Sequence, residues 1–599
     1  MRNSTSYFTF LILGVFLLPG VHAIGQVKQT PESRQELLRK VLEEKGFNLP
    51  GQLTGRNDEV RERMAGKTTA TDQRVSANPN TIGEGEISVI YDPTDSNNLL
   101  LSFMQQNSSG ALTFPVYYSS NGGASWSLSN FNSTGILSAD FPGQFAAGGG
   151  DPAFAWDKNG KVYYAWIYLT VKPSFDTAFF TLNWAYSTNK GHTWSVASKH
   201  FIGRGALNAM TQDPFIYKDG ITDREWLAVD NSGGPHQGNV YCSFVDFPGD
   251  VSLPSAEAIK VLIPGIDTFG NMVSAYVGGT QFGNVEVDNA GVLHMSLADI
   301  DNSCVRHVAS ADGGVSFGTS SVVAYTGTMF PNPPFVVQNR ENAAINMAIN
   351  GPSGTGSNVH IVWSDFPGGT VNSYYSHSTD GGVTWSATDT INKLLGGKIT
   401  IMPTVAAYGN NVAISVAAVD TADSARYYVI NSTDNGNTFY SPQLVSSVPT
   451  NYKYIGAADT NSSMFFGDYN RSVRTQCVVY STWSDGRNNA GPKVYFSRVN
   501  YCTLGIKEIT SVNDNVQVLS LFPNPATDKV TVKVNASKSE PVTVQITDIN
   551  GRVLTTQHYL LTNGEQNITV ALNGMAKGAY VLSVQDNNGL IATRSLVVQ

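Results

Sequence analysis

The sequence predicts an all-β protein built as more than one domain, on three observations. At 599 residues the chain is too long for one compact core. Its 57 glycines, 11% aromatic residues and only 14% charged residues suit many short strands joined by tight turns. A nine-residue turn pattern also recurs along its middle, which marks a repeated architecture. The formal net charge of -9 comes without a Lys/Arg cluster, so neither nucleic acid nor an anionic membrane surface is an expected partner.

In chain order, the first element is an apolar run, "FTFLILGVFLLPG", behind Arg2 and before small residues at Val21 and Ala23. This is the layout of a secretory signal peptide over 1–23, and the run is shorter than the ~20 residues a membrane-spanning helix needs. Export makes Cys242, Cys304, Cys477 and Cys502 partners for two disulfides, with three connectivities open. Closeness in sequence favours Cys242 with Cys304 and Cys477 with Cys502, and free buried thiols are the alternative. Residues 24–80 read as a helical or flexible leader, with Leu37, Leu38, Val41 and Leu42 at helical spacing.

The repeat occupies 81–502. "SSNGGASWS" from Ser119, "STNKGHTWS" from Ser187, "SADGGVSFG" from Ser310, "STDGGVTWS" from Ser378 and "STDNGNTFY" from Ser432 share S-x-D/N-x-G-x-S/T-W/F. Asn121, Asn189, Asp312, Asp380 and Asp434 are placed to accept hydrogen bonds from downstream backbone N–H groups. The glycine two residues on permits the positive φ of a tight turn, and the aromatic returns to the sheet as an apolar plug. The pattern resembles the Asp-box, or BNR, repeats of sialidase-like β-propellers. The resemblance implies that each box joins the third and fourth strands of a blade, away from the catalytic pocket. Strand pairs before each box, such as "DPAFAWDKNGKVYYAWIYL" from Asp151 and "NVEVDNAGVLHMSLAD" from Asn284, bring the count to seven units, with six as the alternative. Units near Arg224 and Phe465 lack a recognisable box.

After a linker over 503–518, residues 519–599 read as alternating strands of a small Ig-like β-sandwich. "LFPNPATDKVTVKV", the "DINGR" turn from Asp548 and the strand start Gly578-Ala579-Tyr580 resemble the type IX secretion sorting domain. That resemblance implies the type IX machinery as a partner and a secreted or outer-membrane-attached protein. A carbohydrate-binding module of similar shape is the alternative.

Fold does not give function, so chemistry has to be located in residues. Polar residues where innermost strands begin, Glu86, Asp151, Glu225, Asn284 and Asp468, with Tyr469 and Arg471 in "GDYNR", would converge on one mouth of the channel. Glu86, Asp151, Glu225, Asp468 and Tyr469 are the catalytic candidates, and Arg224, Arg306, Arg471 and Arg487 the substrate-binding ones. Each also has a structural reading, since carboxylates at strand starts bond backbone amides the ladder leaves unpaired. Sialidases grip a substrate carboxylate with three arginines and use a tyrosine nucleophile helped by a glutamate. Here no arginine lies between Arg74 and Arg204, so the first arginine of that pattern is missing and no triad is assignable. "GVSFG" at Gly314–Gly318 is the tail of a box, and the histidines carry no zinc spacing. No cofactor is expected, with a structural calcium left open. The expected function is a secreted or cell-surface propeller acting on extracellular glycans or glycoproteins as an exo-glycosidase. The alternatives are a non-catalytic glycan-binding or adhesion propeller and, behind it, a polysaccharide lyase.

Overall fold

A computed structural model describes residues 72–76, 81–107, 112–172, 177–195, 201–208, 216–217, 221–248, 252–327, 345–350, 358–365, 371–421, 424–451, 467–487, 491–501, 515–547, 553–586 and 589–599. The signal peptide, the leader helix and the "DINGR" turn lie outside them. The chain divides into two compact units, Met1–Val499 and Asn500–Gln599.

The first unit is a β-propeller. Its described strands form seven antiparallel sheets of four or five strands, in agreement with the expected seven blades. The innermost strands are Thr81–Asp92, Phe145–Trp156, Ile221–Val229, Thr280–Val287, Asn346–Ile349, Thr400–Tyr408 and Ser472–Arg474, here blades one to seven. Each touches the innermost strand of the next blade, and the seventh touches the first, so the ring is closed. Side chains pin neighbouring blades together. Asn284 Oδ1 accepts from the Met347 amide at 3.0 Å, and Asn346 Oδ1 accepts from the Val405 amide at 2.8 Å. The hydroxyls of Thr404 and Ser472 lie 2.7 Å apart.

The repeated turn folds as its residues dictate. In blade one Ser119 Oγ donates to Asn121 Oδ1, while the amides of Gly123 and Ser125 donate to Ser119 Oγ and Asn121 Oδ1, each at 2.9 Å. The same bonds close the turns at Asn189, Asp312, Asp380 and Asp434. All five turns follow the third strand of their sheet. The turn also locks onto the preceding blade: Trp126 meets the Phe496 ring edge-on at 5.1 Å, and Phe439 meets Tyr375 at 5.2 Å. A Cβ on Gly382, whose φ is +87°, would lie 2.2 Å from the His307 ring.

Blade seven is closed by the other end of the chain. Gln73–Arg74 pairs with Lys493–Asn500 as its outermost strand, in the register Gln73 with Phe496 and Arg74 with Tyr495. Asp72 pairs with Arg487 at 2.5 Å, and Val75 packs into the apolar cluster of Val494, Phe496 and Tyr480. The missing box of blade seven has its reason here. Its third and fourth strands are not consecutive in sequence, so no turn joins them.

The expected bond between Cys242 and Cys304 is corrected: both are buried free thiols. Cys242 sits on Val240–Phe247 of blade three and Cys304 on Cys304–Ser310 of blade four, so nearness in sequence put them on different sheets. Cys477 is disulfide-bonded. Its expected partner, Cys502, lies outside the described residues.

The second unit is a two-sheet β-sandwich. Strands Val516–Phe522, Lys529–Ala536 and Gly564–Ala571 face Glu540–Thr547, Val553–Leu561, Gly578–Asp586 and Gly589–Val598. The two sheets enclose one core, in which alternate residues such as Val530, Val532 and Val534 meet Val542, Val544 and Ile546. An Ig-like sandwich was the expectation for this segment.

Candidate functional site

Five of the innermost strands share a backbone irregularity. Glu86, Asp151, Arg224, Phe282 and Met402 all have positive φ, between 54° and 60°. At each the pairing with the second strand slips, so a β-bulge interrupts five of the seven innermost strands. Non-glycine residues held in this region cost of order 1–3 kcal/mol each, and bulges of this kind re-aim side chains beside functional sites. The bulges lie in the half of the strand away from the repeated turns. In blade one Ser119 ends the third strand opposite Leu99, which pairs with Tyr91, whereas the bulge falls between Gly85 and Ser88.

Of the sequence-predicted residues, Asp151, Arg224, Glu225, Asn284 and Tyr469 line one central cavity, whereas Glu86, Asp468 and Arg471 do not. Asp151, Arg224, Glu225, Trp226, Tyr469 and Asn470 line one wall; Gly283, Asn284, Ile345, Asn346, Met402 and Pro403 line the other. The first wall is acidic and aromatic, the second apolar and amide-bearing. Glu86 supports the first from behind, its Oε2 accepting the Asp151 amide at 3.0 Å. Its neighbour Glu84 has a structural task, taking the Val494 amide at 2.9 Å.

Arg224 stands at the centre of the acidic wall. Its guanidinium lies over the Phe282 ring at 4.1 Å and the Tyr469 ring at 4.6 Å. Its Nη1 is 3.6 Å from both Asp151 Oδ1 and Asp468 Oδ2. Arg471 lies over Trp226 at 4.6 Å, 3.7 Å from Glu286 Oε1, and donates to the Phe154 carbonyl at 3.4 Å. Both arginines therefore spend their charge inside the protein. The other two candidates are elsewhere. Arg306 pairs with Asp299 at 2.5 Å in blade four, and Arg487 joins Asp485 and Asp72 over the Tyr495 ring in blade seven. Of the four candidate arginines, Arg224 alone lines the cavity.

The carboxyls hold their protons tightly. Burial, and then the charge of Glu86, push the Asp151 carboxyl well above the usual range despite Arg224. Burial and the Asp151 charge do the same to Glu225, which is 1% exposed. Neither Glu225 oxygen has a hydrogen-bond partner in another residue among those described. Burial, followed by the Asp151 and Glu86 charges, raises the Tyr469 phenol, so it is a proton donor and not a ready nucleophile.

One group escaped the sequence reading. Glu257, on the third strand of blade three, is fully buried, and its carboxyl lies where a side chain on Gly283 would be: a Cβ there would sit 1.8 Å from Oε1. Burial raises it to about 8, with the Arg224 charge opposing. No spacing rule announces it, because the glycine that admits it lies on the next blade. Among the described residues no three His, Cys, Asp or Glu side chains are grouped to hold a metal.

Residues 520–599 match the model of the secretion system C-terminal sorting domain. The chain is thus delivered by type IX secretion to the extracellular or outer-membrane-attached space. No helix among the described residues is long and apolar enough to cross a membrane. Among solved structures the propeller is similar to the Hadza microbial sialidase Hz136, at 13% identity over 71% of this chain and 67% of that one, with a TM-score of 0.41. A protein of unknown function from Dyadobacter fermentans gives 11% identity over 72% and 98%, TM-score 0.41. The GH93 α-L-arabinofuranosidase of Fusarium graminearum gives 11% over 70% and 97%, TM-score 0.34. The curated proteins include no match. Similarity of this degree assigns no activity to the chain.

Proposed function

We propose that the propeller acts on extracellular glycans at its central cavity, as an exo-acting glycosidase in which a protonated carboxyl of the Asp151 and Glu225 pair is the general acid. The observation that carries this reading is the pair itself. Two carboxyls from adjacent innermost strands line one cavity, each with its proton affinity raised by burial and by the other charges around it. A general acid for glycosidic cleavage has to hold a proton near neutral pH and release it to a leaving oxygen, and burial beside a second carboxyl gives that property.

A non-catalytic glycan-binding propeller is the second reading, favoured by the internal pairing of Arg224 and Arg471. Neither guanidinium is free to grip a substrate carboxylate as the arginines of a sialidase do. The deciding experiment incubates the full exported chain with a panel of glycoproteins and polysaccharides and measures released monosaccharide by chromatography. Release that falls 100-fold or more in Glu225→Gln or Asp151→Asn, a typical general-acid loss of about 10²–10⁴, supports the glycosidase. Binding without release supports the second reading. Neither release nor binding rejects both.

A further inference from the structure

We propose that one buried proton latches blades four and five: His294 is held as an imidazolium between Asp288 and His307, and loss of that proton releases the box turn of blade five. The inference stands apart from the glycan-acting reading and concerns how the ring responds to its medium.

Four groups form a chain across the blade junction. Asp288 follows the first strand of blade four, His294 lies on the second, Leu293–Asp299, and His307 on the third, Cys304–Ser310. His294 Nε2 is 3.4 Å from Asp288 Oδ2, and its Nδ1 is 3.0 Å from His307 Nε2. All three side chains are buried. His307 turns its Nδ1 edge to Gly382 in the box turn of blade five, whose carbonyl accepts a hydrogen bond from the ring. The same carbonyl accepts from Ser321 Oγ at 2.6 Å, and that hydroxyl accepts from Trp385 Nε1 at 3.0 Å.

The donors follow in order from the blade-five end. A carbonyl only accepts, so the His307 proton facing Gly382 sits on Nδ1. Burial, and then the His294 charge, lower His307 to about 3, so near neutral pH it has no second proton and its Nε2 is an acceptor. The donor to that nitrogen is therefore His294 Nδ1. This leaves His294 Nε2 facing a carboxylate oxygen, and without a proton between them two buried lone pairs would oppose each other. Asp288 is not its carrier. Its Oδ1 accepts the Ala290 amide at 2.9 Å and the Val292 amide at 2.8 Å, bonds that favour the ionised carboxyl. The proton belongs on His294 Nε2, and His294 donates from both nitrogens. Rising pH removes it, so the latch weakens in the alkaline direction.

Blade five carries the same arrangement without the acid. Val359 pairs with Ile349 as Leu293 pairs with Val287, so His360 holds the place of His294 and Asn350 that of Asp288. His360 Nδ1 meets the Tyr375 hydroxyl at 2.8 Å, and its Nε2 has no partner among the described residues. Burial, and then His377, lower His360 to about 3. Other titratable groups on elements packed around the latch are Asp230, His236 and Tyr241 of blade three, which lie against Gly291, Gly313 and Gly314. Asp312 and Asp380, in the box turns of blades four and five, bond within their own turns.

The test labels the histidines of the full exported chain with nitrogen-15 and reads the protonation of each ring nitrogen by NMR at pH 7, with His294 identified by its contact to the His307 ring. His294 is expected to show two protonated nitrogens and His360 one, and Asp288→Asn to return His294 to one. Exchange of the Gly382 and Thr384 amides, which the box turn of blade five holds, should then quicken about tenfold relative to Gly191 and Thr193 in the turn of blade two. The same relative quickening is expected in the wild-type chain once alkaline pH has removed the His294 proton. One protonated nitrogen on His294 at pH 7, an unchanged His294 in Asp288→Asn, or equal exchange at the two turns overturns the proposal. If Asp288→Asn does not fold, the wild-type spectrum and the wild-type exchange decide.

Discussion

At the scale of single residues, two sets of buried titratable groups pull stability in opposite directions with pH. His307 lies 3.0 Å from His294 through ring nitrogens and His360 lies 2.8 Å from the Tyr375 hydroxyl; burial lowers each to about 3. Between pH 6.5 and 3 the unfolded chain takes up protons that these folded histidines refuse, so stability falls as the medium is acidified through that window. Glu257 behaves in the opposite sense. Raised to about 8, it keeps its proton in the fold while the unfolded chain loses it above pH 4.5, so stability falls from there up to pH 8. Glu257→Gln should flatten the alkaline limb and raise stability at pH 8 by roughly 2–4 kcal/mol, with little change at pH 4.5. Urea titrations at the two pH values measure this, and an equal gain at both would show that the carboxyl proton is not the cause.

At the scale of elements, the repeated turn is the part of the fold most sensitive to one added atom. Gly382→Ala places a methyl group 2.2 Å from the His307 ring at a φ of +87°. Both the clash and the backbone strain count, and the expected cost is about 1–3 kcal/mol. A lowered denaturant midpoint checks this, and an unchanged midpoint would mean that the turn is not holding blades four and five together. These turns were legible in the sequence because every bond that closes them is local: Ser378, Asp380, Gly382 and Thr384 lie within seven residues. The polar starts of the innermost strands were legible too, as breaks between turn residues and apolar runs. The bulges at Phe282 and Met402 were not, since apolar side chains give no sign of a positive φ that their neighbours in the ring impose. Nor was Glu257, whose approach depends on a glycine in another blade. The candidate arginines divided by the same logic. Arg224 sits at the bulge of blade three and lines the cavity, and Arg471 precedes the unbulged innermost strand of blade seven beside Trp226, while Arg306 and Arg487 follow second-strand turns and pair locally.

At the scale of the whole molecule, the ring depends on a strand that precedes the expected propeller start at Thr81. A chain beginning at Thr81 lacks Gln73–Arg74, the Val75 contact with the last blade and the Asp72 partner of Arg487. Burying a valine is worth roughly 1.5–3 kcal/mol, and removing one partner of a largely buried ion pair adds to the loss. Thermal unfolding should therefore begin several degrees lower for that chain than for one beginning at Gly66. Matching melting curves would show that the ring closes without the strand.

That closure also sets an order of events. Gln73 and Arg74 are among the first propeller residues to be synthesised, yet their partners, Phe496 and Tyr495, are among the last. Six blades can assemble from neighbours in sequence as the chain grows, but the seventh must wait for both ends of the domain. The entropy of joining them rises only logarithmically with the intervening length, so the delay is one of time more than of free energy. A chain held unfolded until it has crossed its first membrane can close the ring only beyond it, once the late-made strand has caught the early one.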